Sequence, residues 1–368
     1  MGQLTVVQLL PALESGGVER STLEIAQALV AAGHRSIVIS AGGRLVPELL
    51  AQGSEHIELA LGRKSLATLR HVFTLRRLIK HLRPDIVHAR SRLPAWLAWL
   101  ALRLLPAARP AFVTTVHGLN SAGWYSGVMT RGDRIICVSD TVREHVLRQW
   151  PTTDPDKLEV IERGVDPRQF PQRPPASAAE RAALAEEIPA LAAEKLLLLP
   201  GRGSRLKGHA AAIRLLAALR QEGIDTCLWL LGAREAGRDA YLAELEALAA
   251  EFEVQDFVAI SPARAGIVDA YALSDLVLQL SERPEAFGRT VLEALAVGRP
   301  VLGWDRGGVG ELLREHFPAG AVARDDMARL AATAQTLLQS SNALPNTLAD
   351  SLAPMQARTL KVYAFLAR

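Results

Sequence analysis

Leu276-Val277-Leu278-Gln279-Leu280-Ser281-Glu282-Arg283-Pro284-Glu285-Ala286-Phe287-Gly288-Arg289-Thr290-Val291-Leu292-Glu293-Ala294-Leu295-Ala296-Val297-Gly298-Arg299-Pro300-Val301-Leu302-Gly303-Trp304 is the stretch that decides the fold. The run Leu276–Leu280 is short and apolar, as a buried strand requires. A proline-containing loop follows, then a helical pattern beyond Gly288. Gly298-Arg299-Pro300 stops that helix, and Val301–Trp304 reads as the next strand. Strand, helix, strand in this order is a βαβ unit, whose two strands lie parallel in a sheet covered by helices on both faces.

The same alternation runs outward in both directions. In this half the earlier strands are Leu196–Leu199, Cys227–Leu231 and Phe257–Ile260. In the first half, Leu4–Leu10 leads through a Gly-Gly turn into an amphipathic stretch, Val18–Ala32. Gly33 stops it, and Ser36–Ser40 is the next strand. Asp85–His88, Phe112–His117, Ile135–Ser139 and Leu158–Ile161 continue the series. Between the halves, residues 167–190 contain five prolines and lose the strand pattern, as a linker does. The expected fold is α/β: two doubly wound, Rossmann-like domains meeting near 168/169. Neither half carries GxGxxG, so an ordinary nicotinamide-binding fold has little support.

Composition agrees with a packed chain: 368 residues, 49% hydrophobic and 22% charged. Cys137 and Cys227 sit inside apolar runs and read as core residues; without a disulfide framework or zinc spacing, a reducing compartment is favoured. The first residues read as a strand rather than a leader. The longest apolar stretch, Leu93–Leu102, is too short to span a bilayer as a helix. A cytoplasmic protein is expected. Residues 1–168 carry 21 Lys and Arg against 15 Asp and Glu, whereas residues 169–351 carry 18 against 24. The first half is therefore basic and the second acidic.

Four segments carry chemistry. Glu285 and Glu293, eight apart near a helix start, can accept hydrogen bonds from a hydroxyl-rich ligand, and Gly288 allows close backbone approach. Two isolated glutamates would more often be a solvated helix edge. Gly201-Arg202-Gly203-Ser204-Arg205-Leu206-Lys207-Gly208 follows a strand and offers a fork and a point charge to a diphosphate; it is not a P-loop, and alone it could be an ordinary basic loop. Glu14-Ser15-Gly16-Gly17-Val18-Glu19-Arg20 places glycine backbone at a helix N-terminus, a ready anion site or a simple tight turn. Thr114-Thr115-Val116-His117-Gly118 puts a histidine at a strand's carboxyl end, where ligands of such folds gather.

Together these segments resemble the retaining GT-B glycosyltransferases of family 4, from the first strand to the terminal helix. Ser281–Val301 resembles the E-x7-E signature, with Ala286 where the family usually has Gly. The resemblance implies that Glu285 faces the donor sugar, with Phe287 and Gly288 in the binding loop, and that Glu293 holds the ribose hydroxyls. It gives Arg202 and Lys207, by their match to G-R-x4-K-G, the task of neutralising the leaving diphosphate. Gly16 and Gly17 match G-G-x-E-R, whose backbone lies against the donor phosphate. His117 matches T-x-H-G, which implies that it donates a hydrogen bond to a hydroxyl of the transferred sugar. Arg163, in Ile161-Glu162-Arg163-Gly164-Val165-Asp166, stands where the interdomain segment of the family has Asn. Asp305–Glu311 resembles a glycine-rich loop lining the donor site.

The GT-B architecture implies two domains facing across a cleft. The last helix often crosses back, so residues 1–168 plus 352–368 are expected to bind the acceptor and residues 169–351 the nucleotide sugar. The donor is a nucleotide-diphosphate sugar, UDP favoured by family frequency. No cofactor and no metal are expected, since no Asp-x-Asp stands at a strand end. Glu285 and Glu293 are not a glycosidase pair. The basic pattern Lys64–Arg83, with Trp96 and Trp99 beside it, is a solvated scaffold helix or a contact with anionic lipid or a phosphorylated glycolipid acceptor. Arg90 and Arg92 suit an acceptor phosphate or structural ion pairs. Nucleic acid is disfavoured, because no stacking aromatics or recognition motif accompany the charge. A glycosyltransferase of lipopolysaccharide or another cell-surface glycan is the favoured reading. A GT-B-shaped nucleotide-sugar epimerase and a non-catalytic nucleotide-sugar-binding partner are the alternatives.

Overall fold

Seven strands, all parallel, form the first sheet of the computed structural model: β1 (Thr5–Leu9), β2 (Arg35–Ser40), β3 (Glu55–Glu58), β4 (Ile86–Ala89), β5 (Ala111–Val116), β6 (Arg134–Cys137) and β7 (Leu158–Val160). The structure describes residues 2–14, 16–106, 109–340, 348 and 351–367; Ser15 of the glycine segment and the terminal Arg368 lie outside them. The order β3-β2-β1-β4-β5-β6-β7 reverses direction beside β1, so the switch point lies between β1 and β4. Nearly every residue of β1 and β2 is buried, which demands cover on both faces. The connecting helices are α1 (Gly17–Ala31), α2 (Val46–Ala51), α3 (His71–Leu82), α4 (Arg92–Arg103) and α5 (Asp140–Gln149).

The basic stretch expected as one helix over residues 64–83 is shorter. Ser65 accepts a hydrogen bond from Ala67 N, and Thr68 N donates to Ser65 O at 3.0 Å, so Leu66–Arg70 winds as a 3-10 turn. The α-helix starts only at His71 and ends where Arg83 turns left-handed, φ 46°, ahead of Pro84.

The second sheet holds β8 (Lys195–Pro200), β9 (Thr226–Leu231), β10 (Val258–Ser261), β11 (Leu276–Gln279), β12 (Val301–Trp304) and β13 (Ala321–Val322), parallel throughout, in the order β10-β9-β8-β11-β12-β13. Its switch point lies between β8 and β11. Around it pack α6 (Ala178–Glu187), α7 (His209–Gln221), α8 (Asp239–Glu251), α9 (Ile267–Leu273), α10 (Arg289–Val297), α11 (Gly307–His316) and α12 (Met327–Gln339). Ser177 and Glu180 form a reciprocal capping box at the start of α6.

The last helix, α13 (Leu352–Leu366), belongs to the first unit. Its Leu352, Met355, Val362 and Tyr363 are buried in one cluster with Val6, Ile25, Ile86, Val113 and Ile136. Burying each such apolar side chain contributes about 1.5–3 kcal/mol. The Tyr363 hydroxyl lies 2.6 Å from His88 Nδ1, and His88 Nε2 lies 2.7 Å from Thr115 Oγ1. All three polar groups are buried, so the hydrogen bonds specify where the helix docks.

The chain thus forms two compact units, Met1–Arg163 with Leu352–Arg368, and Gly164–Ser351. The division falls after Arg163 rather than after Arg168. Val165 N donates to Ser351 Oγ at 3.0 Å, which ties the segment to the second unit. The buried Arg299 does the same for the proline-rich stretch: it donates to Tyr271 O and Arg173 O at 3.2 Å, to Ala272 O, and to Pro174 O.

Candidate active site

At the switch point of the second unit, two loops are stitched together. The first follows β8 and ends in a short 3-10 turn, Arg205–Lys207, with Ser204 as its cap. The second connects β11 to α10. Glu282 N donates to Leu206 O at 2.9 Å, joining the two backbones. Gly208, φ +78°, packs so closely that a Cβ there would stand 1.9 Å from Leu280 O. Only glycine fits this position.

This packing brings Lys207 and Glu285 together. Lys207 Nζ donates to Glu285 Oε1 at 2.7 Å, both side chains being partly buried. Ser281 donates its hydroxyl to the same Glu285 oxygen. The Glu285 backbone is held from the other side, since Gly308 N donates to Glu285 O at 2.9 Å. A Cβ on Gly307 would meet that same carbonyl at 2.8 Å, and one on Gly308 would meet Phe287 Cα at 2.5 Å. The Asp305–Glu311 stretch, expected as a glycine-rich loop, is mostly helix: Gly307 and Gly308 open α11, and this helix start clamps the loop that carries Glu285. Phe287 itself is buried.

Gly288, φ +115°, caps α10, and a Cβ there would lie 2.8 Å from Val309 Cγ2. One turn into the helix, Glu293 accepts from Arg289 Nε at 2.9 Å and from the Tyr271 hydroxyl at 3.0 Å. Burial, then the Glu293 charge, pushes the Tyr271 phenol well above its ordinary range, so it stays a donor. These donors pin the Glu293 carboxylate. Arg202 differs from the other candidates: it is exposed and makes no ion pair with a described residue.

The N-termini of α7 and α10 both start at this edge, each led by a glycine, and helix N-termini favour anions. A cation, two carboxylates and two helix starts at a sheet switch point suit a ligand bearing both phosphate and hydroxyl groups. Among the described residues, no three His, Cys, Asp or Glu gather as a metal-holding group.

The remaining candidates stand in the first unit. Gly16 caps α1, and Gly17 opens it with free space around its Cα. His117 follows β5 and lines a pocket of about 380 Å³ shared with Lys64, Arg92, Gly118 and Asn120. Burial first, then the charges of Arg163, Arg90 and His88, hold its pKa well below the ordinary histidine value. Arg90, weighed as a phosphate ligand or a structural partner, is buried: Nε donates to Gln8 Oε1 at 2.8 Å and Nη1 to Ser21 Oγ at 3.2 Å. Arg92 bonds Ser126 Oγ at 3.2 Å and lies over the Tyr125 ring.

Ser281 and Tyr271 had no motif to mark them. Ser281 stands at a strand end inside the quoted stretch, which is a weak signal. Tyr271 lies on another helix and gives none.

The profile for "Glycosyltransferase Family 4" matches residues 15–169, and that for "Glycosyl transferases group 1" matches residues 181–350. D-inositol 3-phosphate glycosyltransferase of Xylanimonas cellulosilytica is 29% identical over 284 residues, 68% of this chain and 67% of that relative. The chain spans about half to two thirds of the curated relatives of that description. The crystal structure of a glycosyltransferase from Rickettsia africae superposes with a TM-score of 0.85 at 28% identity, covering 100% of both chains. Anabaena HepE, solved with UDP-glucose, shares the fold, with a TM-score of 0.76 at 20% identity over 99% of this chain and 98% of that one. Two profiles that together take in most of the chain, one in each unit, and a full-length structural match establish that this chain belongs to the family 4 glycosyltransferases, sugar-transferring enzymes of the GT-B fold.

Proposed function

We propose that the protein is a retaining glycosyltransferase that moves a sugar from a nucleotide-diphosphate sugar, UDP favoured, to a glycan or glycolipid acceptor in the synthesis of a cell-surface polysaccharide such as lipopolysaccharide. The observation that carries this reading is the Lys207–Glu285 pair at the switch point of the second unit. Arg202 and Lys207 stabilise the negative charge that grows on the diphosphate as the bond from its oxygen to the anomeric carbon breaks. The acceptor hydroxyl oxygen bonds to that carbon on the same face, and its proton passes to the leaving phosphate. Glu285 faces the sugar, Glu293 the ribose, and His117 a sugar hydroxyl. Gly16 and Gly17 offer backbone to the phosphates. The Anabaena neighbour solved with UDP-glucose supports the choice of UDP.

The test is thermal-shift binding of UDP, GDP, ADP, CDP and their sugars, with Lys207→Ala and Glu293→Ala beside the parent. Stabilisation by one nucleotide series, lost in both variants, is the expected result. No stabilisation of folded parent protein by any of them would remove the donor-site assignment.

We further propose that the first unit works at the inner face of the cytoplasmic membrane. Among the described residues no helix is long and apolar enough to cross one. Support comes from an aromatic and basic surface. Trp124, 77% exposed, packs edge-on to Trp96, which packs on Trp99, and Arg131 lies over both Trp96 and Trp99. Phe73 of α3 is 60% exposed on a helix rich in Arg and Lys. Indole rings and cations together suit an anionic headgroup layer. Sedimentation with phosphatidylglycerol vesicles should capture the protein, less so at ~0.5 M salt and less so for Trp124→Ala. Equal capture by phosphatidylcholine vesicles, or none by either, would count against this placement.

A further inference from the structure

Arg163 follows β7 and His117 follows β5, and Arg163 Nη2 donates to His117 Nδ1. A guanidinium has only donors, so the Nδ1 it faces must be the unprotonated, accepting nitrogen. A neutral imidazole with a bare Nδ1 carries its hydrogen on Nε2. Nε2 is buried and has no hydrogen-bond partner among the described residues. His117 therefore holds one N–H donor that the protein does not itself consume. Leaving such a donor unsatisfied carries the desolvation penalty of a buried polar group, which a bound hydroxyl would relieve.

The surroundings act against a second proton on the ring. The groups whose charges reach His117 are Arg163 after β7, Arg90 after β4, and His88 on β4. Lys64 and Arg92 line the same pocket. Glu24 of α1 and Tyr363 of α13 act on Arg90, and Tyr363 also bonds His88. An imidazolium here would lose the Arg163 hydrogen bond and add a cation to a basic cluster. The asparagine that the family carries at this position can turn either its amide donor or its acceptor towards a ring nitrogen, so it does not impose one tautomer. Arginine does.

We propose that Arg163 is a positioning residue that fixes His117 as a neutral Nε2–H hydrogen-bond donor. The transferase reading supplies only what that donor meets, a sugar hydroxyl; the tautomer does not depend on it.

The full chain labelled with ¹⁵N-histidine tests this directly by long-range proton–nitrogen correlation, with His117 assigned by loss of its signals in His117→Gln. In the parent protein His117 should show a protonated Nε2 and a bare Nδ1, with no titration as pH falls through ~6.5. Arg163→Lys, still a cation and donor only, should keep this pattern. Arg163→Gln should show mixed tautomers and a titration moved towards ~6.5. Its kcat/KM should be about tenfold lower at pH 5.5 than at pH 7.5, whereas the parent should change by less than about twofold. A parent His117 protonated at Nδ1, or titrating near ~6.5, overturns the proposal even if neither Arg163 variant folds. An Arg163→Gln profile and spectrum like the parent's also overturns it. The expected spectra without turnover of any nucleotide sugar would uphold the positioning and reject the transferase reading.

Discussion

Lys207→Ala should lower kcat/KM by about 10²–10³-fold, the loss typical of one preorganised group aimed at developing charge. Lys207 Nζ is 2.7 Å from Glu285 Oε1, and both stand where the loops after β8 and β11 meet. The lysine is therefore already in place before a donor arrives, so little reorganisation is needed when charge builds on the diphosphate. Removing it also leaves Glu285 with Ser281 as its side-chain donor, and an unbalanced carboxylate would repel the phosphates. Lys207→Arg should recover little, because a planar fork replaces a point charge at a site shaped around a slender stem: a Cβ on Gly201 would lie 3.4 Å from Lys207 Cδ. The measurement is steady-state transfer with whichever nucleotide sugar stabilises the parent, plus the double variant with Glu285→Gln. The two losses should be far from additive, since each residue holds the other. A Lys207→Ala enzyme within about threefold of the parent, or strictly additive losses, would sink the pairing as part of the catalytic machinery.

What was legible in the chain followed from local pattern. The strands β1, β2, β8, β9, β11 and β12 are short apolar runs closed by glycine, proline or charge, and such runs need no distant information to be read. Glu285, Glu293, Arg202 and Lys207 were legible as motifs because each lies within one loop or one helix start. Their pairing was not. Lys207 and Glu285 are 78 residues apart, and only the parallel pairing of β8 with β11 makes them neighbours. The same holds for Tyr271 on Glu293, which comes from a different helix. Arg163 was visible only as a departure from the family's asparagine; that it lies on His117 depends on β5 and β7 flanking β6. The reading of residues 64–83 as one helix failed for a local reason. Hydrophobic spacing runs through Leu69 and Val72 alike, but the hydroxyls of Ser65 and Thr68 take backbone partners and tighten the first turn. Arg90 stayed open between a phosphate ligand and a structural partner, because charge alone says nothing of burial; its buried hydrogen bonds to Gln8 and Ser21 fit the structural alternative.

Gly208→Ala should be the most damaging single-methyl change near the site, and Gly223→Ala gives its control. The two glycines bracket α7 and share φ +78°. Either alanine meets the left-handed penalty of about 1–2 kcal/mol. They differ in space. A Cβ at Gly223 meets nothing within 4 Å, whereas one at Gly208 falls 1.9 Å from Leu280 O and 2.6 Å from Leu280 C. Both atoms are backbone at the end of β11, so no rotamer change relieves the clash; the two loops must separate. Separation would break the Glu282 N to Leu206 O bond and draw Lys207 away from Glu285. The expected cost is about 3 kcal/mol or more for Gly208→Ala, a fall in Tm of about 6–12 °C, against about 1–2 kcal/mol and about 2–8 °C for Gly223→Ala. Nucleotide-induced stabilisation should vanish in the first variant and survive in the second. Thermal unfolding with and without the nucleotide reads both effects together. Equal Tm values for the two variants would mean that the loops yield without cost, and the close approach of β8 and β11 would then not be what holds Lys207 in position.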